Sequence, residues 1–380
     1  MKNLYTRIQN RLVTLSLAPP QGNALKRINN LSGFISGMIR KGSSHLPDIG
    51  SGLQKNIDAN SKTTAAKRFV SNKWTDLETH FLPYLIAFIQ GILAFTDLSK
   101  GIVLVIDGSQ IGKDNATLMI SLVWRNRGIP ICWHVKKGGK GHFKAEDHLK
   151  VLQDAMQILI PLLSSDISVT LLGDGEFDGI ELQKLCLSKG WNYVLRTACN
   201  TILFENGDRF KARQVTPPVH QNCILIDTVE FTELQFKYVN FVCWHDEKKY
   251  ENPIYLVSNL FDLEQIIELY DQRYSIECLF KDMKSTSFNL HKTRLKEAGQ
   301  VNILIMIAAL AFILLTVIAM QYDSITWRKK VQRVRKNRKV LSFFTFAYKL
   351  IQYFIEYEIS FNFSFQFSKN NDNFFQLSTD

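Results

Sequence analysis

Three acidic residues stand where their chemistry is usable. Asp107 closes the apolar run Ile102-Val103-Leu104-Val105-Ile106, Asp174 follows the run from Ser168 to Leu172, and Glu277 lies far downstream in a segment of helical pattern. Carboxylate oxygens are hard ligands for Mg²⁺ or Mn²⁺, and two such ions about 3.5 to 4 Å apart suit displacement at a phosphodiester. One activates the attacking oxygen and the other steadies the leaving oxygen. If the strands ending at Asp107 and Asp174 are parallel neighbours, the two side chains meet within roughly 5 Å, at the sheet edge where α/β folds place their sites. The ordinary alternative is that a strand-ending Asp merely caps the turn that follows. Asp178 is a weaker candidate ligand.

Glu277 has polar company. Tyr270, Arg273, Glu277 and Lys284 fall at offsets of 0, 3, 7 and 14 residues, and at ~100° per residue one continuous helix gathers them within roughly 60° of arc. That face carries a carboxylate flanked by phosphate donors: the planar fork of Arg273, the point charge of Lys284 and the hydroxyl of Tyr270. Lys281 belongs to the same run. A merely solvated charged face would not need this spacing.

The elements around these residues read as a mixed α/β fold. Ile102 to Ile106 is a short continuous apolar run rich in β-branched residues, the pattern of a buried strand. Leu118 to Trp124 and Ile129 to Val135, joined by the turn-like Arg125-Asn126-Arg127-Gly128, form a hairpin. Glu146 to Leu163 has amphipathic helical spacing at Leu149, Leu152, Met156, Leu159 and Ile160. A strand over 168–172, a helix over about 178–188 and a strand over 191–196 complete the order β-β-β-α-β-α-β, in which parallel strands lie beside an antiparallel hairpin. Residues 198–260 then turn β-rich, and helical pattern resumes near Asp262 and continues through Glu277.

The expected organisation is a helical N-terminal DNA-binding domain over 1–95, a catalytic core over 96–197 and 261–325, a β-rich insertion over 198–260, and a basic and aromatic tail over 326–380. In the first unit, Lys67-Arg68-Phe69 could open a basic helix against DNA phosphates, or simply face solvent. Val301 to Met320 is almost wholly apolar and has the length of a membrane span. An all-round apolar helix is equally what a large core contains, and no membrane partner is expected. Residues 328–340 carry eight Lys or Arg, suited to gripping phosphates or to a solvated tail. Phe361 to Phe367 alternates like a terminal strand.

Composition sets the outer limits. With 380 residues, 46% hydrophobic and 21% charged, the chain is globular and long enough for two or three compact units. A formal charge of +11 favours a polyanionic partner, nucleic acid or an anionic membrane surface. The six cysteines are scattered with no C-x-x-C pair, so neither a zinc site nor a disulfide framework is signalled, and a reducing cytoplasm fits. The first residues contain no long apolar stretch of the kind that directs export.

The pattern Y-x2-R-x3-E-x6-K, complete as Tyr270, Arg273, Glu277 and Lys284, resembles the signature of the insertion-sequence-four family of bacterial DDE transposases. Ile106-Asp107-Gly108-Ser109 is similar to that family's first-Asp strand end, with Ser109 where Thr is common. Asp174-Gly175-Glu176-Phe177-Asp178 is similar to its second-Asp motif, with Gly175 where Arg is frequent. The resemblance covers roughly residues 100–320. It implies an RNase H-like fold with a β-strand insertion before the Glu, matching the gap from Asp174 to Glu277, and cut-and-paste movement of DNA. It further implies that Asp107, Asp174 and Glu277 bind two Mg²⁺ or Mn²⁺ ions and catalyse cleavage at element ends and strand transfer. Tyr270, Arg273, Lys281 and Lys284 would hold the terminal-repeat DNA, and Trp244 would either resemble the aromatic that receives a flipped base or be a buried core residue. A homodimer in the DNA complex and a nucleoid-associated, cytoplasmic setting follow from the same resemblance. Two neighbouring readings stay open: a decayed copy that only binds DNA, for which Gly175 speaks, and an RNase H-like nuclease without strand transfer.

Overall fold

The computed structural model describes residues 4–16, 18–139, 141, 143–218, 220–246, 251–332 and 341–362. Six helices come first: α1 Leu4–Leu15, α2 Gly22–Lys41, α3 Leu46–Gly50, α4 Ala59–Val70, α5 Leu77–His80 and α6 Leu82–Phe95. Asp58 and Asp76 cap α4 and α5, accepting from the backbone N–H of Ser61 at 2.9 Å and of Thr79 at 2.7 Å, which satisfies donors that a helix start leaves unpaired. α3 and the residues after it pass so close to α2 that a Cβ on Gly37 would fall 2.2 Å from the Ile49 carbonyl oxygen, and one on Gly52 2.0 Å from that of Gly33. Only glycine fits at either position.

The chain then enters one ten-stranded sheet. Its first part is β1 Ile102–Ile111, β2 Asn115–Trp124, β3 Arg127–Lys137, β4 Val169–Gly173 and β5 Asn192–Thr197, with α7 Ala145–Leu159 and α8 Ile180–Ser188 between the later strands. The spatial order is β3-β2-β1-β4-β5, with β1, β2 and β3 antiparallel and β1, β4 and β5 mutually parallel. This is the mixed sheet that the order of elements foretold, in the arrangement that the resemblance to an RNase H-like fold implied. The β2–β3 turn is the expected hairpin. Trp124 pairs with Arg127 across Arg125 and Asn126, both at positive φ (50° and 58°), as a two-residue turn matched to strand twist requires.

One expectation needs correction at β1. The strand does not end at Asp107 but continues to Ile111, because β2 goes on pairing with it as far as Ile111 opposite Asn115. Only the pairing with β4 stops, at Ile106 opposite Gly173.

The β-rich stretch lengthens the same sheet. β6 Ile202–Glu205, β7 Asp208–Lys211, β8 Cys223–Phe231, β9 Phe236–Trp244 and β10 Ile254–Ser258 add on in the order β5-β10-β9-β8-β6-β7, with β10 antiparallel to β5. The chain returns through α9 Leu263–Asp271 and α10 Tyr274–Lys281, followed by a π-helical turn Asp282–Thr286. A single helix from 270 to 284 is therefore corrected. At the α9–α10 junction the backbone tightens to i−3 bonds, Arg273 N to Tyr270 O at 3.0 Å and Ser275 N to Gln272 O at 3.0 Å. At the π turn it loosens, with Ser287 N bonding Asp282 O at 3.2 Å. Both changes of winding alter the wheel on which the four polar residues were placed.

α11 Ala298–Tyr322 is long and apolar enough to cross a membrane by length and composition, yet 94% of its apolar window is buried inside the protein. It packs against α2, α4, α6 and β3, and against α13 Phe343–Glu356. Trp133 on β3 donates its indole N–H to Asn302 at 2.8 Å, and Phe344 on α13 stacks on Phe312 at 4.5 Å. The stretch read as a tail thus contributes a core helix, because its aromatic residues Phe344, Phe346 and Phe354 are buried. α12 Ile325–Val331 precedes it. The rest of the basic run, 333–340, and most of the Phe361 to Phe367 alternation lie outside the described residues. One continuous set of buried apolar side chains joins the N-terminal helices, the sheet and α13.

Candidate active site

β1, β4 and β5 place the first two acids. Ile106 is opposite Gly173, so Asp107 and Asp174 are level, one residue further along neighbouring parallel strands ~4.8 Å apart. Gly173 is required there: a Cβ would lie 2.9 Å from Phe177 Cβ, 3.1 Å from Leu195 Cδ2 and 3.2 Å from Ile106 Cγ2. Asp107 is only 4% exposed, and its Oδ1 accepts from Gly108 N at 2.7 Å. Asp174 is half-buried. Its Oδ1 accepts from Glu176 N at 3.0 Å while its carbonyl accepts from Phe177 N at 3.0 Å, which folds the following loop back over the strand end.

α10, which carries Glu277, packs across β3, β1 and β2. Glu277 Oε1 is 2.5 Å from an Arg273 guanidinium nitrogen one turn earlier. Burial alone would lower the Arg273 pKa, but Tyr270, Glu277 and Asp107 outweigh it and raise it, so the guanidinium holds its charge. The Tyr270 phenol is pushed up to about 12, chiefly by burial, with Arg273 and Arg196 opposing and Asp174 adding. It stays a neutral hydrogen-bond donor. The Arg273 guanidinium carbon stands 5.9 Å from the Tyr270 ring centre. Lys284, on the π turn, donates from Nζ to Ser109 Oγ at 3.1 Å, which anchors it to β1 two residues beyond Asp107.

Sequence reasoning thus named residues that the fold brings near one sheet edge: Asp107, Asp174, Tyr270, Arg273, Glu277 and Lys284. Lys281 is exposed at the end of α10. Trp244 is placed otherwise. It ends β9 between Cys223 and Ile254 and is 4% exposed, so its ring has no face open to a base. Asp178 Oδ2 accepts from Thr197 Oγ1 at 2.6 Å, and burial first, then Asp174, raises its pKa. Both features make it a poor ligand.

The donor set suits a hard divalent cation, since the acids offer only carboxylate oxygens. Asp107 and Asp174 are adjacent, but Glu277 is turned onto Arg273. Among the described residues no three His, Cys, Asp or Glu are grouped as metal ligands. Asp107 and Asp174 offer such an ion carboxylate oxygens from neighbouring strand ends, and Glu277, which Arg273 holds through Oε1, would complete the set.

Sequence reasoning missed Arg196 and His148. Arg196 follows Leu195, which is opposite Gly173. The His148 ring packs on Phe177 at 4.8 Å, with Nε2 3.9 Å from Glu176 Oε1. Neither lies in a local motif, and only the pairing of distant strands reveals Arg196.

A search of curated proteins finds no match. Among solved structures the chain is similar to the piggyBac transposase in a cryo-EM synaptic complex with hairpin DNA, at TM-score 0.43 and 13% identity, covering 98% of this chain and 82% of that one. It is also similar to the Argonaute of Aquifex aeolicus (TM-score 0.24, 11% identity, 54% and 28% covered). The Argonaute of Marinitoga piezophila, solved with guide RNA and target DNA, scores 0.21 at 14% identity, with 67% and 35% covered. All three are distant likenesses. The family model described as "Transposase DDE domain" matches residues 106–314, a span of more than half the chain that contains Asp107, Asp174 and Glu277, and the chain therefore belongs to the transposase DDE domain family.

Proposed function

We propose that the chain is a cut-and-paste DNA transposase of the insertion-sequence-four type, which cleaves DNA at the ends of its element and joins the freed ends to a target duplex. The observation that carries this reading is the level placement of Asp107 and Asp174 at the ends of the β1–β4 pairing, with the Glu277 helix packed on β3, β1 and β2. Two bound Mg²⁺ or Mn²⁺ ions would supply charge neutralisation at the scissile phosphate and activation of the attacking oxygen.

The chain's own residues do the rest. Asp107, on the paired strand β1, and Asp174, in the turn just past β4, would hold the first ligand positions, and Glu277 would join them on leaving Arg273. The freed Arg273 fork, the protonated Tyr270 hydroxyl and the Lys284 ammonium grip DNA phosphates beside the acids, and Lys281 adds charge at the rim. The partners are the terminal inverted repeats and the target duplex, bound by a homodimer in the synaptic complex. The N-terminal helices contribute to end binding.

The test is incubation of the purified protein and Mn²⁺ with DNA carrying the flanks of its own gene. Asp107→Ala, Asp174→Ala and Glu277→Ala should each abolish end cleavage and leave end binding largely intact. Full cleavage by any of them removes that residue from the set.

The Arg273–Glu277 pair favours a second reading, a DNA-binding chain that no longer cuts. Wild-type protein that binds the ends but gives no nicked product with Mn²⁺ would establish it.

A further inference from the structure

Three parallel strands pass side by side through the middle of the sheet, and their register sets which residues are level. Ile106 is opposite Gly173, and Gly173 is opposite Leu195. One residue onward stand Asp107, Asp174 and Arg196. Asp174 is the first residue past the end of β4, and continuing the register by that one residue sets Arg196 beside it on one flank as it sets Asp107 on the other.

Further observations agree with this placement. Arg196 is exposed although its neighbours Leu195 and Thr197 are buried. Its backbone is fixed by pairing with Leu256 on β10. Among the described residues its guanidinium enters no ion pair. The loop after Asp174 passes beside its backbone, since a Cβ at Gly175 would sit 3.9 Å from the Arg196 carbonyl oxygen. The buried Tyr270 hydroxyl feels Arg196, Arg273 and Asp174 together. The residue directly after Asp174 is glycine, so β4 offers no cation of its own.

We propose that Arg196 is a phosphate-binding residue of the active site, gripping the scissile phosphate from the β5 side while Arg273 approaches from the helix side. The ligand is a DNA phosphodiester, and the planar guanidinium suits two of its oxygens at once. This rests on Asp107 and Asp174 being the catalytic pair.

The experiment measures metal-free affinity for end DNA with either a native or an uncharged methylphosphonate linkage at the cleavage position. A charge-assisted contact is worth about 1.5 to 3 kcal/mol, or roughly 10-fold or more in affinity. Arg196→Ala should lose that factor on native DNA and nothing on the methylphosphonate, and Arg196→Lys should recover part of it. Gly175→Arg in the Arg196→Ala background should restore binding, because a side chain at 175 meets only ordinary contact distance. Equal loss on both DNAs, or no loss on native DNA, overturns the role of Arg196. Unimpaired Mn²⁺-dependent cleavage by Asp107→Ala and Asp174→Ala overturns the catalytic pair instead, whatever the affinity series shows.

Discussion

Arg273 is paired with Glu277 in the structure. Under the proposed function it would also serve as a fork for a DNA phosphate, and exchanging its partner would couple DNA arrival to release of the third carboxylate. Arg273→Ala should therefore weaken end binding by roughly 10-fold or more while Mn²⁺ affinity, followed by paramagnetic relaxation, stays equal or rises. A fall in Mn²⁺ affinity would contradict the exchange. Asp282 offers a pH signature. Burial pushes its carboxyl up to about 6, against the pull of Arg127 and Lys281, with Arg127 3.9 Å away. A carboxyl whose pKa is raised on folding keeps its proton longer in the folded state, so its contribution favours the fold below pH 3.8 and declines as pH climbs to about 6. Asp282→Asn should remove that decline, gaining at most roughly 3 kcal/mol at pH 7.5 and little at pH 4. Urea midpoints at the two pH values decide it, and equal gains at both would point to packing rather than ionisation.

Elements fix the geometry on which those residues depend, and Gly173 is the tightest point. Gly173→Ala puts a methyl under 3.3 Å from Phe177, Leu195 and Ile106, and overpacking of this kind costs about 1 to 3 kcal/mol. Chemical denaturation should show that loss, with cleavage falling further than stability alone explains, because Asp174 is displaced. The strands flanking this point were readable in the chain because Ile102 to Ile106 and Ser168 to Leu172 are short apolar runs that only a buried strand accommodates. Arg273 and Glu277 were readable as neighbours from their four-residue spacing. Their continuous helix was not legible, since the tightening at Gln272 and the loosening at Asp282 leave no mark in a helical spacing pattern. Arg196 was invisible for a related reason: its level beside Asp174 depends on a strand pairing between residues far apart in the chain. Trp244 could be read from the sequence either as a stacking partner or as a core residue, because an indole type says nothing about which face of a sheet it occupies, and the fold buries it.

At the scale of the whole molecule, charge and packing carry separate predictions. A net charge of +11 implies that DNA affinity falls linearly in log–log form as salt rises, with a slope set by the phosphates neutralised. An affinity that does not change between 50 and 200 mM salt, about 10³-fold or more of expected loss for a protein making many such contacts, would deny an electrostatic interface. Phe344 is 1% exposed and stacked on Phe312, so Phe344→Ala should cost about 3 to 5 kcal/mol in thermal or urea unfolding. The enclosure of α11 has a further effect. Because the N-terminal helices, the β3 side of the sheet and α13 all rest on this one helix, none can peel away without exposing it. Unfolding is then a single cooperative event for the catalytic sheet and its helical neighbours. Amide hydrogens of Ile303 to Ala319 should exchange with solvent deuterium last of all, at the rate of global opening.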